Sequence, residues 1–445
     1  MAEKQFSNDF STLQQLARDV LGHARQKGAS ACEVEVSEGF GQSVSVRCGE
    51  VETIEYNRDK GVGVSVYIGQ RRGHASTSDF SPKALRETVE AALNIARFTA
   101  ADDCAGLPEP EQLAWETRDL DLYHPWELPV EAAIELAQRA EAAAFEVDER
   151  ISNSEGATIS TQQGQFVAAN SLGFMAGYPT SRHYIACSVI AGEQDSMQRD
   201  DWYSTDRNAA RLEEPERVGQ QAARRALARL DAGKISTGSY PVIFEAPLAA
   251  GLLGNFVQAV SGSALYRKST FLLDHLGQQV FPEFFQLSER PHLPGGLASA
   301  PFDNDGVLTR DREVVRDGIL EGYFLSVYSG RKLGLPSTGN AGGSHNLILK
   351  PGEHDLEGLL RLMGRGLLVT ELLGHGVNYV TGDYSRGAAG FWVEDGRIVH
   401  AVEEITIAGN LKDMFRKLRA VGRDVQVRGS KQTGSLLLDA MTIAA

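Results

Sequence analysis

Cysteine is scarce in this chain. There are four in 445 residues, Cys32, Cys48, Cys104 and Cys187, with no CxxC pair and none beyond Cys187. That usage excludes a disulfide framework and points to a reducing compartment. Positive charge is in deficit too: 44 Lys and Arg stand against 59 Asp and Glu, a formal net charge of −15. Sequence-independent nucleic-acid binding rests on a basic surface that releases counterions, so this balance argues against a nucleic-acid partner. No run approaches the length of uninterrupted apolar residues that a membrane-spanning helix needs, and no membrane partner is expected. The first twenty residues, MAEKQFSNDFSTLQQLARDV, carry early acids and no apolar segment, so a secretory leader is not expected and a cytoplasmic location is.

The familiar catalytic motifs are missing as well. Ten histidines are present, but no HxxxH or HExxH pair, and the closest two, His345 and His354, are nine residues apart. A helical His pair at i,i+4 is the strong zinc signal. There is no GxSxG elbow. The glycine-rich run Gly339 to Ser344 lacks the Lys-Ser/Thr of a phosphate loop. Cys187, within YIACSVI, reads as a buried apolar residue, and Cys104 follows Asp102 and Asp103, which disfavour a thiolate.

What the chain has in quantity is glycine, 46 residues, and a clear alternation of periods. Apolar residues at three- and four-residue steps predict a helix from about Ser11 to Lys27, closed by Gly28. Period-two patterns at Cys32 to Val36, Ser43 to Arg47 and Gly61 to Ile68 predict antiparallel strands with one wet face. Ser81-Pro82 opens a helix to about Phe98. A Pro- and acid-rich connector follows, roughly 100–129. Then come a helix from Val130 to about Val147, strands around Ala157 to Ala169 and Tyr184 to Ile190, and a helix from Pro215 to about Leu230. Past a second linker, Asp231 to Ser239, PVIFE reads as a buried strand and Ala246 to Val260 as a helix. Asp305-Gly306, Asp317-Gly318 and Asp395-Gly396 predict hairpin turns. The expectation is an α+β protein in three parts. The first two, 1–120 and 121–235, mix helix and antiparallel sheet; the third, 236–445, is β-rich and laced with glycine.

Three polar, glycine-dense segments stand out in the last part: YRKSTF (266–271), TGNAGGSHN (338–346) and GHGVNYVTGDYSRGAAG (374–390). Functional side chains often sit on such loops above a rigid sheet. His375, Asp383 and Arg386 are the candidate groove residues. A rival arrangement would bring His345, His375 and Asp383 together as a self-sufficient hydrolytic site.

Longer motifs carry a resemblance. VTGDYSRGAAGFWVEDGRI followed by EITIAGNLKDMF, with YRKSTFLLDHLG, GLASAPFDNDGV, RKLGLPSTGNAGG, GVGVSVYIGQRRGHASTSDFSP and RFTAADDCAGLPE, resembles the TldD/PmbA metallopeptidase family, and within it the PmbA (TldE) branch. The likeness spans essentially the whole chain. It implies a cytoplasmic bacterial proteolytic system in which a TldD-like and a PmbA-like subunit form a heterodimer. That system acts on extended or unfolded peptides, in peptide maturation and antitoxin degradation. In the TldD branch the resemblance implies a zinc site built on HExxxH, with a Cys nearer the C-terminus.

Aligned on the two leucines before that motif, Leu252 and Leu253, the first His falls at Gly254, the Glu at Asn255 and the second His at Ala259. Gly and Ala offer no ligand atom, and Asn255 has no carboxylate to act as a base. The tail RGSKQTGSLLLDAM (428–441) has no Cys, and no His lies between His183 and His275. The expectation is therefore no metal and no cofactor in this chain, with zinc on a TldD-like partner. An i,i+5 pair lies about 140° apart on an ideal helix, so Gly251 and Gly254 suggest a bend there. A peptide-binding homodimer without catalysis is the non-enzymatic alternative.

Overall fold

The computed structural model describes residues 6–445, the side chain of residue 195 aside. The first half is built on six antiparallel strands. Helix α1 (Phe10–Gln26) is capped by Asp9, whose carboxylate accepts the Thr12 N–H. Strands β1 (Ala31–Arg47) and β2 (Glu50–Ile68) follow, then β3 (Arg71–Thr77) and α2 (Pro82–Phe98), capped by Ser81 with Pro82 in its first turn. After the connector come α3 (Val130–Phe145), β4 (Ile151–Asn170), β5 (Met175–Ala191), β6 (Gln198–Asp206) and α4 (Pro215–Ala228). The strand order is β3-β2-β1-β4-β5-β6.

The segments 32–36 and 43–47 are one 17-residue strand rather than two. Gly39 and Gly41 read as an interruption in sequence, but the ladder to β2 runs through them. Cys48 and Gly49 make the turn, with φ of 50° and 80°, the left-handed pair that matches strand twist. Strand β1 also pairs with β4, from Glu33↔Asn170 to Val46↔Ala157. Residues 1–120 and 121–235 therefore share one sheet.

Two cores lie along that sheet. Helices α1 and α2 cover Val34, Val36, Val62, Val64, Val66 and Val167. Helices α3 and α4 cover Val44, Val46, Ile159, Ile185, Cys187 and Val189. The alanines of α3 have a packing reason: Ala137, Ala140 and Ala144 meet Gly219, Ala222 and Ala226 of α4. A Cβ on Gly219 would stand 1.8 Å from the Ala140 carbonyl oxygen, so only glycine allows this crossing. Cys187 is fully buried here and its thiol is pushed up to about 12 by that burial. The first part of β2, Glu50–Lys60, has every residue exposed and pairs on one side with β1.

The connector is not a loose tether. Its Asp102 carboxylate accepts from Tyr328 Oη at 2.7 Å and Lys332 Nζ at 2.9 Å, and Arg331 donates to the Leu107 carbonyl at 2.7 Å.

The last part contains β7 (Gly238–Phe244), α5 (Ala246–Ala259), α6 (Gly262–Tyr266), β8 (Leu287–Glu289), β9 (Arg312–Arg316), β10 (Ile319–Leu320) and α7 (Val327–Leu333). It continues with β11 (Leu347–Leu349), α8 (Leu356–Met363), β12 (Gly366–Leu373), β13 (Asp383–Glu394), β14 (Arg397–Asn410), α9 (Leu411–Arg416), β15 (Leu418–Val421), β16 (Lys431–Gln432) and β17 (Leu436–Ala444). One sheet runs β14-β13-β12-β7-β17-β15, and β14 also pairs with β17 through Thr406↔Ala444 to Ala408↔Thr442. The sheet thus closes on itself through a short ladder, which covers the β14 edge at residues 406–408. A smaller sheet, β10-β9-β8-β11-β16, lies beside it. The largest core joins both sheets to α5.

All three Asp-Gly dipeptides lie in turns between antiparallel segments, as expected, with Phe302 bridging to Leu308 across Asp305-Gly306. Asp317-Gly318 and Asp395-Gly396 have both residues at positive φ and join paired strands. Asp305-Gly306 is different: Gly306 N–H donates to the Asp303 carbonyl, and only the glycine has positive φ. The organiser is Asp303, whose buried carboxylate accepts the N–H groups of Asp305, Val307 and Ala341, each at 2.9 Å. Burial, with Asp305 adding repulsion, still raises this carboxyl to about 7. Between the ordinary carboxylate range and pH 7 the folded chain holds a proton that the unfolded chain releases. The contribution is full below that window and is lost as pH rises through it. The melting temperature of the native chain relative to Asp303→Asn should therefore be higher at pH 5 than at pH 8. Equal differences at the two pH values would show that the carboxyl ionises normally.

Candidate functional site

Helix α5 is the element on which a family metal site would stand. It begins where β7 ends and is continuous through Gly251 and Gly254, with neither glycine at positive φ. No break in the helix marks the bend suggested by its glycines. Its N-terminus is held from two sides. Ala246 N–H donates to Ser435 Oγ at 3.0 Å, and Ser435 Oγ donates to Asp424 Oδ2 at 2.6 Å. Glu245, at the N-cap, receives both Nη atoms of Arg225 at 2.8 and 3.1 Å. Arg225 also donates from Nε to Asp200 at 3.0 Å, and Arg229 pairs with Glu371 at 2.5 Å. These links tie α4 and β6 to the start of α5 and to β12.

The three aligned positions face different surroundings. Gly254 and Asn255 are half-buried, on the same open side as the exposed Gly251 and Gln258. Ala259 is fully buried within the largest core, and its carbonyl accepts from Thr270 Oγ1 at 2.6 Å. Asn255 Oδ1 accepts from Tyr379 Oη at 2.9 Å. A Cβ on Gly254 would lie 3.6 Å from Lys431 Cε, an ordinary contact. The space beside Gly254 therefore holds a lysine side chain.

These residues do not fit a zinc ion. Glycine and alanine present no ligand atom, a lysine lies against the first position, and the third is sealed in apolar packing. Among the described residues, no group of three or more His, Cys, Asp or Glu side chains could hold a metal. Ala259→His places an imidazole in a filled core, and a loss of about 3 kcal/mol is expected. Gly254→His, on the open side, should stay within about 1 kcal/mol of the native chain. Urea denaturation midpoints at unchanged slope check both values.

The groove candidates do not act as one cluster. His375 is exposed in the β12–β13 loop, which is pinned by the Ser385 N–H donating to the Gly376 carbonyl at 2.7 Å. Asp383 clamps its own turn, accepting from Thr381 Oγ1 at 2.6 Å and Asn410 Nδ2 at 3.2 Å. Those bonds hold its carboxyl below the usual range. Arg386 is on the other face of β13, with Tyr384, whose hydroxyl it meets. His345 belongs to another cluster: its N–H donates to Glu289 Oε1 at 2.8 Å and its ring contacts the Gly339 carbonyl at 2.9 Å. The rival set of His345, His375 and Asp383 thus does not gather as a metal-binding group. Tyr379 and Lys431 escaped notice in the sequence. Tyr379 lies in the polar, glycine-dense segment 374–390 and Lys431 in the tail 428–441, where no local pattern marks either side chain.

A closed C-terminal sheet, one long helix entering it from β7, and a six-stranded N-terminal sheet carrying two helix pairs define the class. Sequence profiles described as PmbA/TldA metallopeptidase domain 1, central domain and C-terminal domain match residues 32–96, 123–230 and 237–445. The chain belongs to the PmbA/TldD metallopeptidase family. It lies in the PmbA branch: it is 50% identical to the Metalloprotease PmbA homolog of Haemophilus influenzae, over 95% of this chain and 93% of that one. The Metalloprotease TldD homolog of the same organism is 22% identical over 84% of this chain and 81% of its own. A solved structure from Bacteroides thetaiotaomicron, called a candidate modulator of DNA gyrase, superposes with a TM-score of 0.92 at 27% identity, covering 97% and 98% of the two chains. TldE from Thermococcus kodakarensis has the same fold, with a TM-score of 0.83 at 20% identity over 97% of this chain and 100% of that one.

Proposed function

We propose that this chain is the PmbA/TldE-type subunit of a cytoplasmic TldD/PmbA peptidase, without a metal site of its own, paired with a TldD-like chain that carries the zinc. The observation that carries this reading is α5: the family helix is intact, yet its aligned positions are Gly254, Asn255 and a core-sealed Ala259. A hydrolytic zinc keeps three protein ligands and one water position. The side chains here supply none of the three. The substrates are extended peptides, and this chain helps bind and orient them while the partner performs the hydrolysis. Maturation of peptide products and removal of unfolded antitoxins are the processes such a pair serves.

Co-purification with a TldD-like protein, followed by metal analysis of each chain and peptidase assay, tests the reading. The pair should cleave peptides in a zinc-dependent way, with the metal on the partner. If the purified chain alone holds stoichiometric zinc and cleaves peptides, the reading is wrong.

A further inference from the structure

Two cations, Lys431 and Arg386, lie by the open side of α5, and among the described residues neither forms an ion pair. Lys431 lies along Gly254 and is mostly buried, and its Nζ donates to Ser430 Oγ at 3.3 Å. Burial alone pushes its amine below the ordinary lysine value, with no carboxylate near enough to oppose that effect. Arg386 comes from β13 on the Tyr384 face, its Nε buried without a hydrogen-bond partner. Its charge reaches the Tyr379 hydroxyl, which is on Asn255. Three residues before Lys431, Arg428 is held apart from this pair, over Trp202 and Tyr203 of β6 at 4.0 and 4.1 Å from the ring centres. A chain of net charge −15 has acids to spare, so cations left without one at a glycine-faced helix mark a place for an incoming anion.

Resting on the peptide reading above, we propose that Lys431 and Arg386, beside Gly254 and Asn255, form a binding site for a peptide carboxylate. A guanidinium and an ammonium both donate to carboxylate oxygens, and charged donors make the stronger hydrogen bonds. Gly251, with open space where a Cβ would stand, leaves room for a main chain to approach the helix. The site fits the C-terminal carboxylate of an extended peptide, which ends there with its remaining length along the groove.

The test uses the full-length chain and an N-acetylated ten-residue peptide with uncharged side chains, made as the free acid, as the amide, and as the amide with one internal Asp. Titration calorimetry should show the free acid binding about tenfold to a hundredfold tighter than the amide. That ratio should fall to near one in Lys431→Met and in Arg386→Met, each checked for an unchanged melting temperature. Lys431→Gln serves if the methionine variant does not fold. If the amide with an internal Asp regains the affinity, the carboxylate read is a side chain; if it does not, it is the terminus. Equal binding of acid and amide to the native chain overturns this proposal and leaves the peptide reading standing. So does a ratio unchanged by the lysine and arginine substitutions. Binding of none of the three peptides overturns this proposal, and the peptide reading is then decided by the cleavage assay on the pair.

Discussion

Arg225→Ala should cost about 3–5 kcal/mol and loosen the two halves of the chain from each other. Arg225 is mostly buried and satisfies Glu245 twice and Asp200 once, while its guanidinium lies 5.5 Å over the Trp202 ring. Removing it leaves the largely buried Glu245, at the N-cap of α5, without its cation, and Asp200 with only Arg229, 3.7 Å away. The loss is therefore the cost of stranded charge as much as of lost attraction. Because Asp200 is on β6 and Glu245 begins α5, the damage falls on the junction between the N-terminal sheet and the C-terminal part. Faster limited proteolysis in the linker 231–237, together with a lower denaturation midpoint, is the expected pattern. An unchanged cleavage rate would show that apolar packing alone holds the junction.

Glu289→Ala is the second large effect, again about 3–5 kcal/mol. Glu289 is 1% exposed and accepts from Arg312 Nε at 2.7 Å, Asn340 Nδ2 at 2.8 Å and His345 N at 2.8 Å. Alanine leaves all three donors without that acceptor. Arg312 keeps the Tyr323 carbonyl at 2.8 Å and Asn340 Oδ1 at 3.1 Å, so its charge stays buried with no counter-ion. The double variant Glu289→Met with Arg312→Met removes both charges and should recover much of the loss. Denaturant unfolding of the two single variants and the double variant measures this. If the double variant is as unstable as Glu289→Ala, the network matters through its neutral bonds and not its charges.

Much of the fold was legible because the local signals were strong. Ser81-Pro82 and Pro215 place the starts of α2 and α4, and the apolar run after PVIFE places α5. Strand lengths were less legible. The polar, glycine-containing middle of β1 reads as a gap, yet two neighbouring strands pair with it on either side. The Asp305-Gly306 turn was legible as a turn but its organiser was not, because Asp303 precedes the dipeptide and acts through its side chain. The closing of the C-terminal sheet depends on β14 meeting β17, a pairing no local pattern encodes. The site divides in the same way. The missing ligand types at 254, 255 and 259 are readable one residue at a time. That Ala259 faces the core and that Lys431 lies along Gly254 are tertiary facts.

The pairing of β1 with β4 also governs how the chain emerges during synthesis. Glu33 meets Asn170, and 170 − 33 = 137 residues of chain must follow Glu33 before that bond can form. At typical translation speeds this is on the order of ten seconds or more. Through that interval β1 has β2 beside it and a bare edge on its other side. Bare edges invite pairing with other chains. The N-terminal part is thus a fold that waits for its own middle, and the nascent chain is most in need of a chaperone before residue 170 has left the ribosome.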